Sequence, residues 1–399
     1  MRALCTGDNH LGSGPDLGRT PGERLSEQEQ VWRQTLEIAR EQECDVVLHG
    51  GDLFHRTRPS PEEVLAATRP LVEHRAERGC PVVMALGNHE RPGVGEATMP
   101  AVLSLSELLH VSHTPEIVKI IDGQVISDLA APGGLAICLL PWAPVSHIVA
   151  AQDGGDRDDV NAYAAELLVA TARGLRDALD GPAILLSHFC VSGSSLPNGL
   201  PVDQLREPVL DLAELEALGF EAICLAHIHK ASVFGEGTFY VGSPMALSFG
   251  EAGYDHGCFV LERDTLSGVY VPRFVPLESR RLATVDLTAE QALAMLDAEW
   301  SPWHPVRDFV VKIRLHATSE EVRQIDSGIL RREAEAAGAC KAFVELDVER
   351  PERARIEGMS EDLDELAALD AYLEAIGVNG DQAAVLRERT EAYLGAVRA

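Results

Sequence analysis

Five short apolar runs in this chain each stop at side chains able to bind a metal or move a proton. Ala3-Leu4-Cys5-Thr6-Gly7 leads into Asp8 and His10, Val46-Val47-Leu48-His49-Gly50-Gly51 into Asp52, and Val82-Val83-Met84-Ala85-Leu86-Gly87 into Asn88 and His89. Ile184-Leu185-Leu186-Ser187 ends at His188, and Ile223-Cys224-Leu225-Ala226 ends at His227, with His229 just beyond. Such runs, alternating with helical stretches, are the pattern of an α/β fold. In open α/β sheets the carboxyl ends of the strands share one edge, where ligands bind, so side chains spread from position 8 to position 229 can meet in one site.

The inventory of that site is two carboxylates, one amide and several imidazoles. Hard oxygen donors mixed with imidazole suit Mn²⁺, Fe²⁺ or Zn²⁺ better than Ca²⁺, and so many donors exceed the needs of one ion. Two ions are the natural count. A carboxylate such as Asp52 can bridge two cations about 3.5–4 Å apart, a pair that clamps a phosphate and supplies a nucleophile near neutral pH. Taken singly, a strand-end Asp is usually a turn or cap residue. A lone histidine is usually structural, the reading given to His49, His74, His110, His113, His147, His256, His304 and His316. The ordered set is what points to metal-dependent phosphoester hydrolysis.

The chain has 399 residues, long enough for two or three domains. Further candidate strands cover residues 135–140, and residues 239–273 read as short strands broken by Gly and Pro that complete a sheet. Val31, Trp32, Thr35, Leu36 and Ala39 recur at helical spacing, and Pro59-Ser60-Pro61 with Glu62 and Glu63 opens a second helix. From about Leu277 the pattern changes to a small α+β unit: strand-like 309–315, a helix carrying Arg331 and Arg332, and strand-like 342–348. After Pro351 two helices follow. Leu363, Leu366, Leu369, Leu373 and Ile376 make one apolar stripe, and Leu386, Tyr393, Leu394 and Val397 another. Between Glu361 and Asp381 stand seven acids and no base, a solvated face or one that meets something basic.

No segment approaches the roughly 18 unbroken apolar residues of a membrane span. The first residues form no signal-peptide core, so a cytoplasmic protein is expected. The eight cysteines are scattered with no C-x-x-C pair, so neither a zinc knuckle nor a disulfide framework is indicated. With 34 Lys+Arg against 63 Asp+Glu the formal net charge is -29, so a polyanionic substrate needs local help from metals, a partner or a confined basic patch.

The order Asp8-x-His10, Gly51-Asp52, Gly87-Asn88-His89-Glu90, His188 and His227-x-His229 resembles the calcineurin-like metallophosphoesterases. Within them, Gly51-Asp52-Leu53-Phe54-His55 followed by Arg58-Pro59-Ser60-Pro61, and Gly242-Ser243-Pro244 ahead of Ser248-Phe249-Gly250-Glu251, are similar to the SbcD/Mre11-type DNA double-strand-break repair nucleases. The superfamily motifs cover roughly residues 1–275; over the remainder the likeness is architectural.

The resemblance implies a four-layer α/β sandwich over 1–276, a small α+β DNA-capping domain over 277–350 and a C-terminal helical segment over 351–399 that docks on an SbcC/Rad50-type coiled-coil ATPase. It implies one metal on Asp8, His10, Asp52 and His229, the other on Asp52, Asn88, His188 and His227, with two Mn²⁺ as cofactors and Fe²⁺ or Mg²⁺ as substitutes. His89 would donate to the scissile phosphate, Glu90 would orient the His89 ring, and His55 would serve the exonuclease step. Homodimerisation through helices of the nuclease domain is implied too. In the capping unit Arg307, Lys312, Arg314, Arg323, Arg331 and Arg332 supply the visible basic surface, and Arg331 and Arg332 are the candidate DNA contacts. The alternatives are a small-substrate phosphodiesterase or phosphatase on the same scaffold, and a non-catalytic scaffold. One departure stands out: Ala226 occupies the position before His-x-His where the family usually has Gly, a strained choice if the backbone there has positive φ.

Overall fold

The computed structural model describes residues 1–14, 17–18, 20, 22–91, 97–149, 157–196, 199–263, 270–296, 306–348, 364–378 and 380–397. The apolar runs of the sequence form strands whose alternate residues feed two different cores. Ala3 and Cys5, Val46 and Leu48, and Val83 and Ala85 face a core shared between two sheets. Leu4, Val47, Val82 and Met84 face the helices outside. Both faces being covered, the strands read as unbroken apolar segments rather than alternating ones.

The first sheet has the order Tyr270–Pro276, Gly257–Arg263, Arg2–Thr6, Val46–His49, Val82–Ala85, His110–Ser112, parallel from Arg2–Thr6 onward. The second runs Ser232–Phe234, Thr238–Tyr240, Ala222–Leu225, Ala183–Ser187, Leu135–Leu140, Glu116–Ile121, Gln124–Ile126. Helices Glu23–Glu41 and Pro61–Ala76 cover the first sheet through Trp32, Leu36, Ala67 and Leu71. Helix Arg157–Asp177 covers the second through Leu168, Val169 and Ala172. These four layers are the metallophosphoesterase sandwich. Helix Pro61–Ala76 starts where its sequence says: Ser60 accepts from the Glu63 amide while Glu63 accepts from the Ser60 amide.

One expectation needs correction. A single open sheet edge would place all five donor-bearing strands side by side, whereas three of them lie in the first sheet and Ala183–Ser187 and Ala222–Leu225 lie in the second. Their carboxyl ends still share one rim, because the loops after Thr6 and His49 pack on Ala226. Helix Arg157–Asp177 and the hairpin Glu116–Ile121/Gln124–Ile126 have no counterpart among the elements expected from the sequence.

Beyond the sandwich, Leu282–Thr288, Val310–Ala317 and Lys341–Val348 form a parallel three-stranded sheet. Leu287, Val311, Ile313, Leu315 and Leu330 make its own core with helices Ala289–Leu296 and Ser327–Ala336. The strand Leu282–Thr288 is an addition to the expected elements. Leu282, Val310 and Cys340 meet Leu17 and Ala246 of the sandwich, and Arg280 pairs with Glu23 at 2.8 Å. Helices Glu365–Ala375 and Asp381–Val397 pack on each other and leave Tyr372, Ile376, Val385, Leu386 and Tyr393 exposed, with Leu373 buried. His304, Leu363 and the 350/351 boundary lie outside the described residues. None of the eight cysteines forms a disulfide, and among the described residues no helix is long and apolar enough to cross a membrane.

Candidate metal centre

Four of the donor-bearing residues adopt backbone conformations that non-glycine residues rarely take: φ is 51° at Asp8, 46° at His10, 55° at Asp52 and 93° at His227. Such strain persists only where the surroundings impose it. Here two strand-end loops zip together. The Asp8 amide donates to the Gly51 carbonyl, His10 to Asp52, Leu11 to Leu53 and His55 to Leu11, each at 2.9–3.0 Å. Gln28 steadies the same turn by donating to the His10 carbonyl, and His49 Nε2 lies 2.8 Å from Asn9 Oδ1. His49 is therefore structural.

Close backbone approach makes room for the carboxylates. A Cβ on Gly87 would fall 2.1 Å from Asp52 Oδ1, and one on Gly50 would fall 2.3 Å from the Ala226 methyl. Ala226 thus occupies space that Gly50 leaves open; its own φ is not positive, and the strained residue is His227. The Gly-to-Ala departure is harmless for that reason. Gly87→Ala, by contrast, should displace the Asp52 carboxylate and lower divalent-ion affinity by at least about tenfold. Metal titration of the purified variant checks this.

At the rim, Asp52 Oδ2 lies 3.5 Å from His10 Nε2 and 3.5 Å from His188 Nε2, between two groups of donors. On one side His10 Nε2 and His229 Nε2 face each other at 3.1 Å. On the other, Asn88 Oδ1 is 3.0 Å from His188 Nε2 and 3.1 Å from His227 Nδ1. Ligand atoms of Asp8, His10 and His229 lie within 4.8 Å of one another, as do those of Asp8, Asp52 and His188. Imidazole nitrogens and carboxylate oxygens aimed at common points are what cations require, so the donor set fits two of them.

The electrostatics agree. Burial raises the Asp8 pKa; burial acts the same way on Asp52, but His188 and His10 outweigh it and hold that carboxylate well below its usual range. Burial opposes charge on His188 as well, yet Asp52 and Asp8 push its pKa up to about 9. Burial holds His10 well below the ordinary histidine value.

Two carboxylates to which the sequence assigns no role orient the His-x-His pair. Glu207 stands 3.1 Å from His227 Nε2, which leaves Nδ1 for the site, and Glu251 stands 3.1 Å from His229 Nδ1, which leaves Nε2. Glu207 sits two residues before the short strand Val209–Leu210, and no apolar run ends at it, so no spacing signals it. Glu251 lies inside the Ser248-Phe249-Gly250-Glu251 segment, and only its burial at 3% exposure gives it away.

Glu90 does not do what is expected of it. Its carboxylate accepts from the amides of Asp52 and Phe54, at 3.2 and 2.9 Å, so it braces the Asp52 turn. Burial, then Asp52, push its pKa up to about 8. The His89 ring is held instead by the His55 carbonyl, 2.9 Å from His89 Nδ1. His55 and His89 stack at 5.1 Å beside His10, and burial, then His89, lower the His55 pKa. Arg331 and Arg332 lie exposed on helix Ser327–Ala336 and have no contact with the centre among the described residues.

The chain belongs to the calcineurin-like phosphoesterases, whose family profile matches residues 1–231. That family is built around a divalent metal centre, and the donor set at the rim fits one. Among individual proteins it is similar to the SbcD component of the nuclease SbcCD from Bacillus subtilis (strain 168), 27% identical over 264 residues. That match spans 64% of this chain and 64% of the relative's length. Of solved structures, a Thermus thermophilus protein is 15% identical with a TM-score of 0.35, covering 68% of this chain and 98% of the other. A dimetal phosphatase from Danio rerio is 10% identical with a TM-score of 0.36, covering 65% and 92%.

Proposed function

We propose that the chain is a two-metal DNA nuclease, 3′–5′ exonucleolytic on duplex ends and endonucleolytic on single strands or hairpins, acting in double-strand-break repair with an SbcC/Rad50-type ATPase. The observation that carries this reading is the convergence of Asp8, His10, Asp52, Asn88, His188, His227 and His229 at one rim with His89 beside them. Asp8, His10, Asp52 and His229 would hold one ion; Asp52, Asn88, His188 and His227 the other, both Mn²⁺ in the resting enzyme. When bound, the pair supplies Lewis acidity and a nucleophile for phosphodiester hydrolysis. Around it the protein's own groups position and donate. His89, fixed through Nδ1, presents Nε2 to the scissile phosphate, and His55 stands close enough to serve the leaving oxygen. The likeness to a component of the SbcCD nuclease over 64% of the chain supports DNA over a small phosphoester.

In this reading the unit after residue 277 caps the DNA, with Arg331 and Arg332 toward the backbone, and the terminal helices dock on the ATPase through Tyr372, Ile376, Val385, Leu386 and Tyr393. A second copy would cover Leu65 and Val72 of helix Pro61–Ala76 with Val102 and Leu105 of helix Met99–Leu105, all exposed here. Net charge of -29 leaves most DNA affinity to the partner.

Mn²⁺-dependent digestion of end-labelled duplex DNA, with and without the co-expressed ATPase, tests the reading. A preference for a cyclic nucleotide over DNA would replace it with the small-substrate phosphodiesterase. Deleting residues from 355 onward should spare hydrolysis of bis-p-nitrophenyl phosphate and abolish ATPase association in a pull-down. Retained association would move the docking surface elsewhere.

A further inference from the structure

Resting on the two-ion reading above, we infer that Phe249 and Arg280 are positioning residues for one ion only. Through them the three-stranded unit that starts at Leu282 sets the affinity of the ion on His10 and His229, and leaves the other ion alone.

Both of those ligands rest on supports that the unit grips. Glu251 fixes the His229 ring from the short turn Phe249–Glu251, and its second oxygen accepts from the Leu247 amide at 2.9 Å. Phe249, two residues before Glu251, reaches the unit instead. Its ring packs with Leu282, Val310 and Phe343, its centroid 6.2 Å from that of Phe343 and 5.1 Å from Lys312 Nζ. His10 is held from helix Glu23–Glu41, where Gln28 donates to the His10 carbonyl at 3.1 Å and accepts from the Gly12 amide at 3.0 Å. On the same helix, just before Gln28, Glu23 and Glu27 receive the Arg280 guanidinium, which also donates to Cys340 Sγ of the unit.

The supports of the other ion lie inside the sandwich: the Gly50 carbonyl stands 2.7 Å from His188 Nδ1, and Glu207 stands 3.1 Å from His227 Nε2. Beside the two grips lies a cavity of about 270 Å³, lined by Glu251, His256, Leu277 and Arg280 among others. Well-packed interiors hold few voids larger than a water molecule, so this junction rests on discrete contacts, and losing one lets its support shift. A carboxylate behind a ligating imidazole fixes the tautomer and the direction of the ring, so a shifted Glu251 weakens the His229 ion first.

The test is Mn²⁺ titration of the full chain, read by calorimetry and by the electron paramagnetic resonance signal of free Mn²⁺. The unmodified protein should show two binding constants. Phe249→Ala should raise one dissociation constant by about tenfold, the low end for changes behind a metal ligand, and leave the other unchanged. Arg280→Ala should do the same from the opposite side of the junction, so a folding defect in either variant leaves the other to decide. Phe249→Leu should keep most of the native affinity and Arg280→Lys part of it, whereas general loosening of the fold would weaken both ions together. In His229→Ala, which retains the donors of the other ion, adding Phe249→Ala should cost nothing further. Two constants weakened alike, neither weakened, or a further loss in the His229→Ala background overturns the inference. An unmodified protein that binds fewer than two ions would sink the two-ion reading instead.

Discussion

Asp52→Asn should abolish binding of both divalent ions, and hydrolysis with it. The carboxylate stands between the two donor groups, with Oδ2 at 3.5 Å from both His10 and His188, so its charge is the one each cation would share. Changes to residues behind a metal ligand already cost about 10- to 100-fold in affinity, and losing a shared anionic ligand exceeds that. Asn has the same shape and its Oδ1 still accepts the His89 amide, a contact of 2.9 Å in the native chain, so the loops keep their course. Elemental analysis should read close to no bound metal for the variant and two ions for the native chain. Two ions held with native affinity would disprove the bridge.

The same residue governs the metal-free chain. His188 has its pKa raised from 6.5 to about 9, so its share of stability is complete below about pH 6.5 and lost as pH rises through 9. Asp52 is depressed from 3.8, so its share is present above that value and lost as pH falls below it. In EDTA the native chain should therefore gain stability over Asp52→Asn only between these limits, a bell that thermal denaturation across pH reads directly.

Why the donor positions could be argued from sequence while their supports could not is a matter of burial. A strand covered on both faces tolerates polar residues only at its ends, so Asp8, Asp52, Asn88, His188 and His227 stand out against Leu4, Val47, Met84, Leu185 and Cys224. The capping box at Ser60 and Glu63 is similarly local and similarly plain. Which sheet a strand joins is not local: Val82–Ala85 and Ala183–Ser187 read alike and fall in different layers. Glu207 and Glu251 act through contacts 20 and 22 residues away: Glu207 follows no apolar run, and nothing in the Ser248-Phe249-Gly250-Glu251 segment ties Glu251 to His229. Glu90 shows the limit of adjacency. Being next to His89 suggests that it holds that ring, but the turn carries its carboxylate to the amides of Asp52 and Phe54, and a backbone carbonyl takes the ring.

His89→Ala should separate metal binding from chemistry. The His89 amide, not its ring, contacts Asp52, and alanine keeps that amide, so both ions should stay bound. What alanine removes is an imidazole locked by the His55 carbonyl at 2.9 Å and standing 4.5 Å from the His10 ring, beside the place a phosphate would occupy. A donor aimed at charge that grows in the transition state contributes about 10²–10³ in rate, or about 2.7–4 kcal/mol. The loss should fall on kcat, with KM little changed, because the ground-state phosphate carries less of that charge. His55→Ala tests the other half of the pair: it leaves the main-chain carbonyl that holds His89 in place, so a fall there reports on the His55 imidazole itself. If His89→Ala keeps both metals and still cleaves DNA at the native rate, the imidazole is packing, and the proton donor must be sought among groups that face the centre from elsewhere on the rim.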